Sequence, residues 1–336
     1  NISALHSVVV AELKATANRV GLGIIILRKV AKMASESELI AALSEVFAVN
    51  DPNLLIGIGD DGAVIRASPH NLVAATDMAV EGIHFNREWS TLEEIGGKLA
   101  AANFADIYAM GGKPKYLLVS AGLTKDFGVS QIKELAQGIK NEADLVGASV
   151  VGGDLSRAGE LVISITVFGE VQTPITRSGA RAGDLVIISG LPGWSAAGLH
   201  QLIAGVKSSK FVSAHKKPVL DYAMASRFKD VNAMCDVSDG LLSELGYISQ
   251  ASKVGIEIDS KLLEGAPGFA ELENFAQKSG IDIWEWVLTG GEDHIFLATT
   301  STQIPEGAIQ IGKVNAKSEV TVSGDLNIKD IGYRHF

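Results

Sequence analysis

The chain has 336 residues, enough for about two domains at ~150 residues each. Hydrophobic residues make up 47% and charged residues 20%, which excludes compositional disorder. The net charge of -10 argues against nucleic-acid or anionic-membrane partners, and a single cysteine, Cys235, excludes an internal disulfide or a multi-cysteine zinc site and suits the cytoplasm.

Residues 1–32 hold five basic residues and one acid, Glu12, around a seven-residue apolar run at Gly21–Leu27. That run falls short of the ~18 residues a membrane span needs. The charge bias resembles a targeting peptide without a clear cleavage site, so residues 1–32 are read as an extension outside the core fold.

From Met33 onward, short apolar strands alternate with amphipathic helices between glycine-rich turns. Apolar spacing predicts a helix over Ser37–Val49, then short strands at Ala63–Arg66 and Leu72–Thr76. Thr91–Met110 reads as a long helix stopped by Gly111, Gly112 and Pro114. A strand at Tyr116–Leu123, a helix at Ser130–Leu145 and an apolar strand at Leu161–Phe168 follow. Residues 173–180 lack either periodicity and read as a connector, placing a domain boundary near residue 172. Beyond it come a strand at Leu185–Ser189, a helix near Ser195–Ala204, a helix from Gly240 to Ser252, strands at Gly255–Ile258 and Phe296–Thr299, and a strand pair around Ile309–Val322. The expected domains are residues 33–171 and 172–336.

Gly57-Ile58-Gly59-Asp60-Asp61-Gly62 formally matches the GxGxxG dinucleotide fingerprint. Its variable positions include two carboxylates, which repel a bare pyrophosphate, and a strand follows where the fingerprint needs a helix. No P-loop motif is present either.

Acids instead recur at strand ends and glycine turns: Asp60, Asp61, Asp77, Asp154, Asp236, Asp239, Glu292 and Asp293. Asp106 lies in the long helix, three residues after Asn103 and so on its face. Singly each has a plain reading: Asp239 as a helix cap, Asp60, Asp61 and Asp154 as turn residues, Asp106 as a solvated charge. Their repetition with few bases nearby favours a hard cation, Mg²⁺, shared with substrate phosphates. The residues therefore point to Mg²⁺-dependent phosphoryl transfer or phosphate-ester chemistry, with Arg157 as a further phosphate candidate.

Taken in order, these stretches resemble the thiamine-monophosphate kinase family of the aminoimidazole-ribonucleotide synthetase superfamily. The matching pieces are Gly57–Asp61, Thr76-Asp77 with His84-Phe85, Asn103–Asp106 leading into Met110-Gly111, and Gly152-Gly153-Asp154. Thr176–Gly179, Asp236–Leu241, Gly290–Asp293 and the ending Gly332–Phe336 complete the set. The resemblance implies an α+β fold of two α/β sandwich domains, the N-terminal one dimerising through its sheet into a homodimer. It implies transfer of the γ-phosphoryl group of ATP to thiamine monophosphate, giving thiamine diphosphate.

By position it further implies that Asp61, Asp77, Asp106, Asp154, Asp236 and Asp239 hold magnesium, with Thr76 assisting and Asp60 as an additional ligand. Gly153, Asp154, Arg177 and Ser238 would contact ATP. His84, Glu292 and Tyr333 would face the thiamine phosphate. Two positions depart from the family pattern: Ala75 where serine is frequent, and Asp330-Ile331 where an aromatic can stack on the substrate. Selenophosphate synthetase and the carbamoyl-transferring hydrogenase maturation protein are disfavoured, because each needs a reactive cysteine placed elsewhere than Cys235. Aminoimidazole-ribonucleotide synthetase, a Mg²⁺-dependent phosphatase and a silent nucleotide-binding protein remain as alternatives.

Overall fold

The computed structural model describes residues 35–60 and 62–324. Of the residues singled out above, Asp61, Asp330, Ile331 and the ending Gly332–Phe336 with Tyr333 lie outside the described residues, as does the 1–32 extension. The fold is a two-domain arrangement of mixed helix and sheet, each domain built on its own sheet.

Helix α1 (Glu36–Val46) starts at a capping box in which Ser35 and Glu38 satisfy each other's backbone donors. Short strands β1 (Leu54–Ile56) and β2 (Val64–Ile65) form an antiparallel pair around the Gly57–Gly62 loop. Strand β3 (Asn71–Val80) then leads to α2 (Leu92–Ala109), which opens on a second capping box, Thr91 with Glu94. After it come β4 (Lys113–Leu123), α3 (Val129–Val146), β5 (Ser149–Arg157) and β6 (Val162–Val171).

The first sheet has the order β3-β6-β4-β5, with only β4 and β5 parallel. Strand β6 alternates strictly, burying Ile163, Ile165 and Val167. These residues pack with Phe104 and Ile107 of α2 and Ile132 and Ile139 of α3 in one core. The opposite face of this sheet carries exposed apolar residues, Leu72 at 71% and Met78 at 62% of full exposure.

The second sheet follows: β7 (Leu185–Ile188), β8 (Ala233–Asp236), β9 (Gly255–Asp259), β10 (Phe296–Thr300), β11 (Ile309–Asn315) and β12 (Val320–Ser323). Its order is β12-β9-β11-β7-β10-β8. The expected Ile309–Val322 pair is thus corrected: β11 and β12 do not pair, because β9 lies between them, antiparallel to β11 and parallel to β12.

Helices α4 (Trp194–Ile203), α5 (Lys210–Lys216), α6 (Tyr222–Arg227), α7 (Leu241–Ser252), α8 (Ser260–Glu264), α9 (Phe269–Ser279) and α10 (Ile283–Thr289) surround this sheet. Of these, α5, α6, α8, α9 and α10 were not anticipated. No described helix is long and apolar enough to cross a membrane.

A buried polar knot joins the domains. Glu142 of α3 is 2% exposed, accepts the Tyr222 hydroxyl at 2.5 Å and lies 2.7 Å from the Lys217 ammonium. Tyr108 stacks obliquely on Tyr222 beside it, 5.2 Å between ring centres.

Candidate active site

Asp77 does not end its strand, as the sequence suggested, but lies within β3 three residues before its end. The side chain of Asn103 ties this strand to α2. Its Oδ1 accepts the Asp77 backbone N–H at 3.1 Å, and its Nδ2 donates to the Leu99 carbonyl at 2.9 Å. One turn further along α2 stands Asp106, and β8 delivers Asp236 from the other domain.

These three carboxylates feel one another. Burial, then Asp236, then Asp77 push Asp106 up to about 8, against the pull of His294 and Arg177. Asp77 is raised too, by burial first, with His294 opposing and Asp236 adding to the rise. His294 Nδ1 is 2.9 Å from Asp236 Oδ2. Burial pulls the imidazole down, but its bond to Asp236 and the surrounding carboxylates raise it overall. His294 was missed from sequence; the signal was its place directly after Gly290–Asp293.

The loop that carries it is held in an unusual shape. Glu292 (φ 65°) and His294 (φ 52°) both sit in the left-handed region, at a cost of about 1–3 kcal/mol each for residues with side chains. Bonds from Glu292 N–H to the Ser238 carbonyl (2.7 Å) and from His294 N–H to the Val237 carbonyl (2.9 Å) hold it there. Gly291 has to be glycine, because a Cβ would stand 2.4 Å from the Ser238 carbonyl oxygen.

Three consecutive side chains consequently diverge. Asp293 accepts from the backbone N–H groups of Gly193 (2.7 Å) and Ser195 (2.9 Å), capping α4 from a hundred residues away. Burial still lifts it to about 6. Glu292 turns instead toward Lys98 of α2, 3.1 Å from its ammonium, and toward His215, 3.6 Å away. Lys98 also donates to the His84 carbonyl at 3.4 Å. His84 Nδ1 accepts the Val80 backbone N–H at 3.1 Å, so a neutral His84 carries its proton on Nε2. Lys98 and His215 were both unanticipated.

Arg177 stands in a short 3₁₀ turn (Arg177–Gly179), 3.4 Å from the buried Glu244 of α7 and over the ring of Tyr247. Ser238 Oγ donates to the same glutamate at 3.4 Å. Burial and the Asp236 charge push Glu244 up to about 7, with Arg177 opposing. Asp239 follows in the same loop. The reading of it as the cap residue is corrected, since Gly240 and not Asp239 is the N-cap of α7.

Other anticipated residues stand apart. Gly152-Gly153-Asp154 forms no turn; it lies inside β5. The register runs Asp77↔Ile165↔Val119↔Gly153 across the first sheet, so two strands separate the edge carrying Asp77 from that carrying Asp154. Three strand spacings amount to about 14 Å. Alternation also turns Asp154, paired with Ser120, and Thr76 onto the uncovered face. The Thr76 hydroxyl donates to the Ile165 carbonyl (3.1 Å) and lies 2.9 Å from that of Thr166. Asp60 sits exposed in the loop between β1 and β2, and Arg157 is exposed at the end of β5. Among the described residues no three acidic, histidine or cysteine side chains close around one point tightly enough to form a metal cage.

The chain matches the family models for AIR synthase related protein, N-terminal domain, over residues 59–171, and C-terminal domain, over residues 181–324. Thiamine-monophosphate kinase of Mycobacterium tuberculosis strain H37Rv is 36% identical over 90% of this chain and 95% of its own length. The Bacillus subtilis protein of that name is 35% identical over 84% and 93%. The solved structure of AaThiL complexed with AMPPCP and TMP superposes with a TM-score of 0.73 and 31% identity, covering 90% of this chain and 97% of that one. Hydrogenase maturation protein HypE of E. coli, at 20% identity and a TM-score of 0.68, over 89% of this chain and 98% of that one, shares the fold.

Proposed function

The chain belongs to the AIR synthase related protein family, and on that premise we propose that it transfers the γ-phosphoryl group of ATP to thiamine monophosphate, yielding thiamine diphosphate and ADP. The observation that carries this reading is the convergence of Asp77, Asp106 and Asp236, from three elements and both domains, beside Arg177 and Ser238. Relatives named thiamine-monophosphate kinase, and a neighbour complexed with an ATP analogue and TMP, support the substrate pair.

The acceptor is a phosphate oxygen already ionised near neutral pH, so no strong general base is needed. The difficulty is bringing two polyanions into line. The donor set fits Mg²⁺: oxygen ligands only, and a carboxylate driven to about 8 by burial first and then by Asp236 and Asp77, charges that a hard cation would offset. We assign Asp77, Asp106, Asp236 and Asp239 to hold it, and, from the sequence resemblance, Asp60 and Asp61 as well. Bound there, magnesium would neutralise the phosphate charge during transfer.

Arg177 and Ser238 bind ATP, with Glu244 steadying both. His84 and Glu292 face the thiamine phosphate, and Tyr333 is assigned to the same end. Gly153, Asp154 and Thr76 are assigned to nucleotide and metal through a homodimer. Thr76 and Asp154 lie on the uncovered sheet face, which a second copy would cover. Residues 33–171 and 172–336 are taken as the two domains, residues 1–32 as an extension outside them. The acidic charge disfavours nucleic acid, and the buried Cys235 suits the cytoplasm.

Purified protein with ATP, Mg²⁺ and thiamine monophosphate is expected to form thiamine diphosphate and ADP in equal amounts, with no ADP when the acceptor is omitted. Phosphate release without thiamine diphosphate would replace this reading with the phosphatase.

A further inference from the structure

The Lys98 side chain is only 6% exposed in the middle of a helix, an unusual place for an ammonium group. A buried charge is tolerated only when paired and hydrogen-bonded. Lys98 meets that condition in full. Its Nζ lies 3.1 Å from each carboxylate oxygen of Glu292 and 3.4 Å from the His84 carbonyl. Two of its donors are taken by hydrogen bonds, to Glu292 Oε2 and the His84 carbonyl, and Glu292 Oε1 stands at ion-pair distance.

Both partners are residues assigned above to the thiamine phosphate, one from each domain. Glu292 is 194 residues away in sequence, on the strained loop, and its side chain keeps 36% exposure. We propose that Lys98 is a positioning residue for thiamine monophosphate: it clamps the Glu292 carboxylate and the His84 backbone together across the domain cleft, so that Glu292 presents an aligned acceptor to a donor group on the substrate.

His215 supports this geometry from the other side. Its Nδ1 is 3.0 Å from Ser195 Oγ and 3.6 Å from Glu292 Oε2, so the carboxylate is bracketed between a cation and an imidazole. Glu292 is held below the ordinary carboxylate range: burial acts to raise it, but Lys98, then His215, outweigh that. An ionised, oriented carboxylate accepts strongly from an N–H donor such as the amino group of an aminopyrimidine. The clamp therefore governs acceptor binding and leaves the nucleotide contacts at Arg177 and Ser238 untouched.

The inference rests on the kinase reading, and steady-state kinetics separate the two. Lys98→Met is expected to raise KM for thiamine monophosphate at least tenfold, with KM for ATP changed less than twofold. Glu292→Gln is expected to do the same. In the Lys98→Met/Glu292→Gln protein, KM for thiamine monophosphate is expected to stay within threefold of that of Glu292→Gln, because Lys98 acts through the clamp, which Glu292→Gln has already undone.

Lys98→Met alone leaves the Glu292 carboxylate without its cation and can fail to fold; the double variant removes both charges, so its comparison with Glu292→Gln then decides. An unchanged KM in Lys98→Met overturns the proposal. So does a further tenfold rise on adding Lys98→Met to Glu292→Gln, which would make Lys98 a direct substrate ligand. Wild-type protein that fails to phosphorylate thiamine monophosphate overturns the kinase reading itself, and the clamp with it.

Discussion

His215 lies at 8% exposure on α5, against Ser195, Lys98 and Glu292. Burial first, and then the Lys98 charge, push its imidazole down to about 4. The unfolded chain takes up a proton near 6.5, but the folded chain does so only near 4. The stability tied to neutral His215 is therefore complete above pH 6.5 and is lost as pH falls from 6.5 through 4, by up to about 3 kcal/mol. Urea unfolding at pH 7.5 and 4.5 is expected to show a steeper loss for wild type than for His215→Gln. Equal slopes would place a protonated imidazole in the folded state. Residues of this kind explain what the sequence hides. The carboxylates were legible because acids beside glycines and strand ends are out of place. Lys98 looked like an ordinary helix residue and His215 lay in a segment read as no element; what makes them unusual is burial, Lys98 against Glu292 of the other domain, 194 residues away, and His215 against Ser195 and Lys98.

Among the elements, the long helices were the most readable. Helix α2 has a capping box and a glycine stop, and α3 has a clear apolar stripe. Short helices α5 and α6 carry too few turns for a periodic signal, and they form by packing on α4 and α2. Strand β5 was misread because Gly152-Gly153-Asp154 has poor strand propensity. Its glycine is there for space: a Cβ on Gly153 would stand 1.8 Å from the Val119 carbonyl oxygen of the parallel neighbour β4. Gly153→Ala is therefore expected to cost about 2 kcal/mol or more, because backbone has to move. Gly159→Ala, in the turn after β5 with open space around its Cβ, is expected to stay within about 0.5 kcal/mol of wild type. Denaturant midpoints compare the two, and equal midpoints would show that β5 does not lie against β4 as described.

At the scale of the whole molecule, the two sheets are treated differently. The first is covered by α2 and α3 on one face and left open on the other, where Leu72 and Met78 stand exposed on an edge strand. An open apolar sheet face invites a partner, and the family resemblance implies a second copy of the same sheet. The uncovered face also carries Thr76 and Asp154, two of the residues assigned to the reaction, so assembly and activity should fail together. Leu72→Glu combined with Met78→Glu places like charges on both sides of a self-complementary interface. Sedimentation is expected to shift from dimer in wild type to monomer in this variant, with turnover lost in parallel. Asp293 and His294, buried in the second domain, should keep their bonds to α4 and Asp236, so the monomer is expected to retain wild-type-like near-ultraviolet circular dichroism. A wild-type chain that sediments as a monomer while fully active would separate the uncovered face from the reaction, and would leave Thr76 and Asp154 without a part in it.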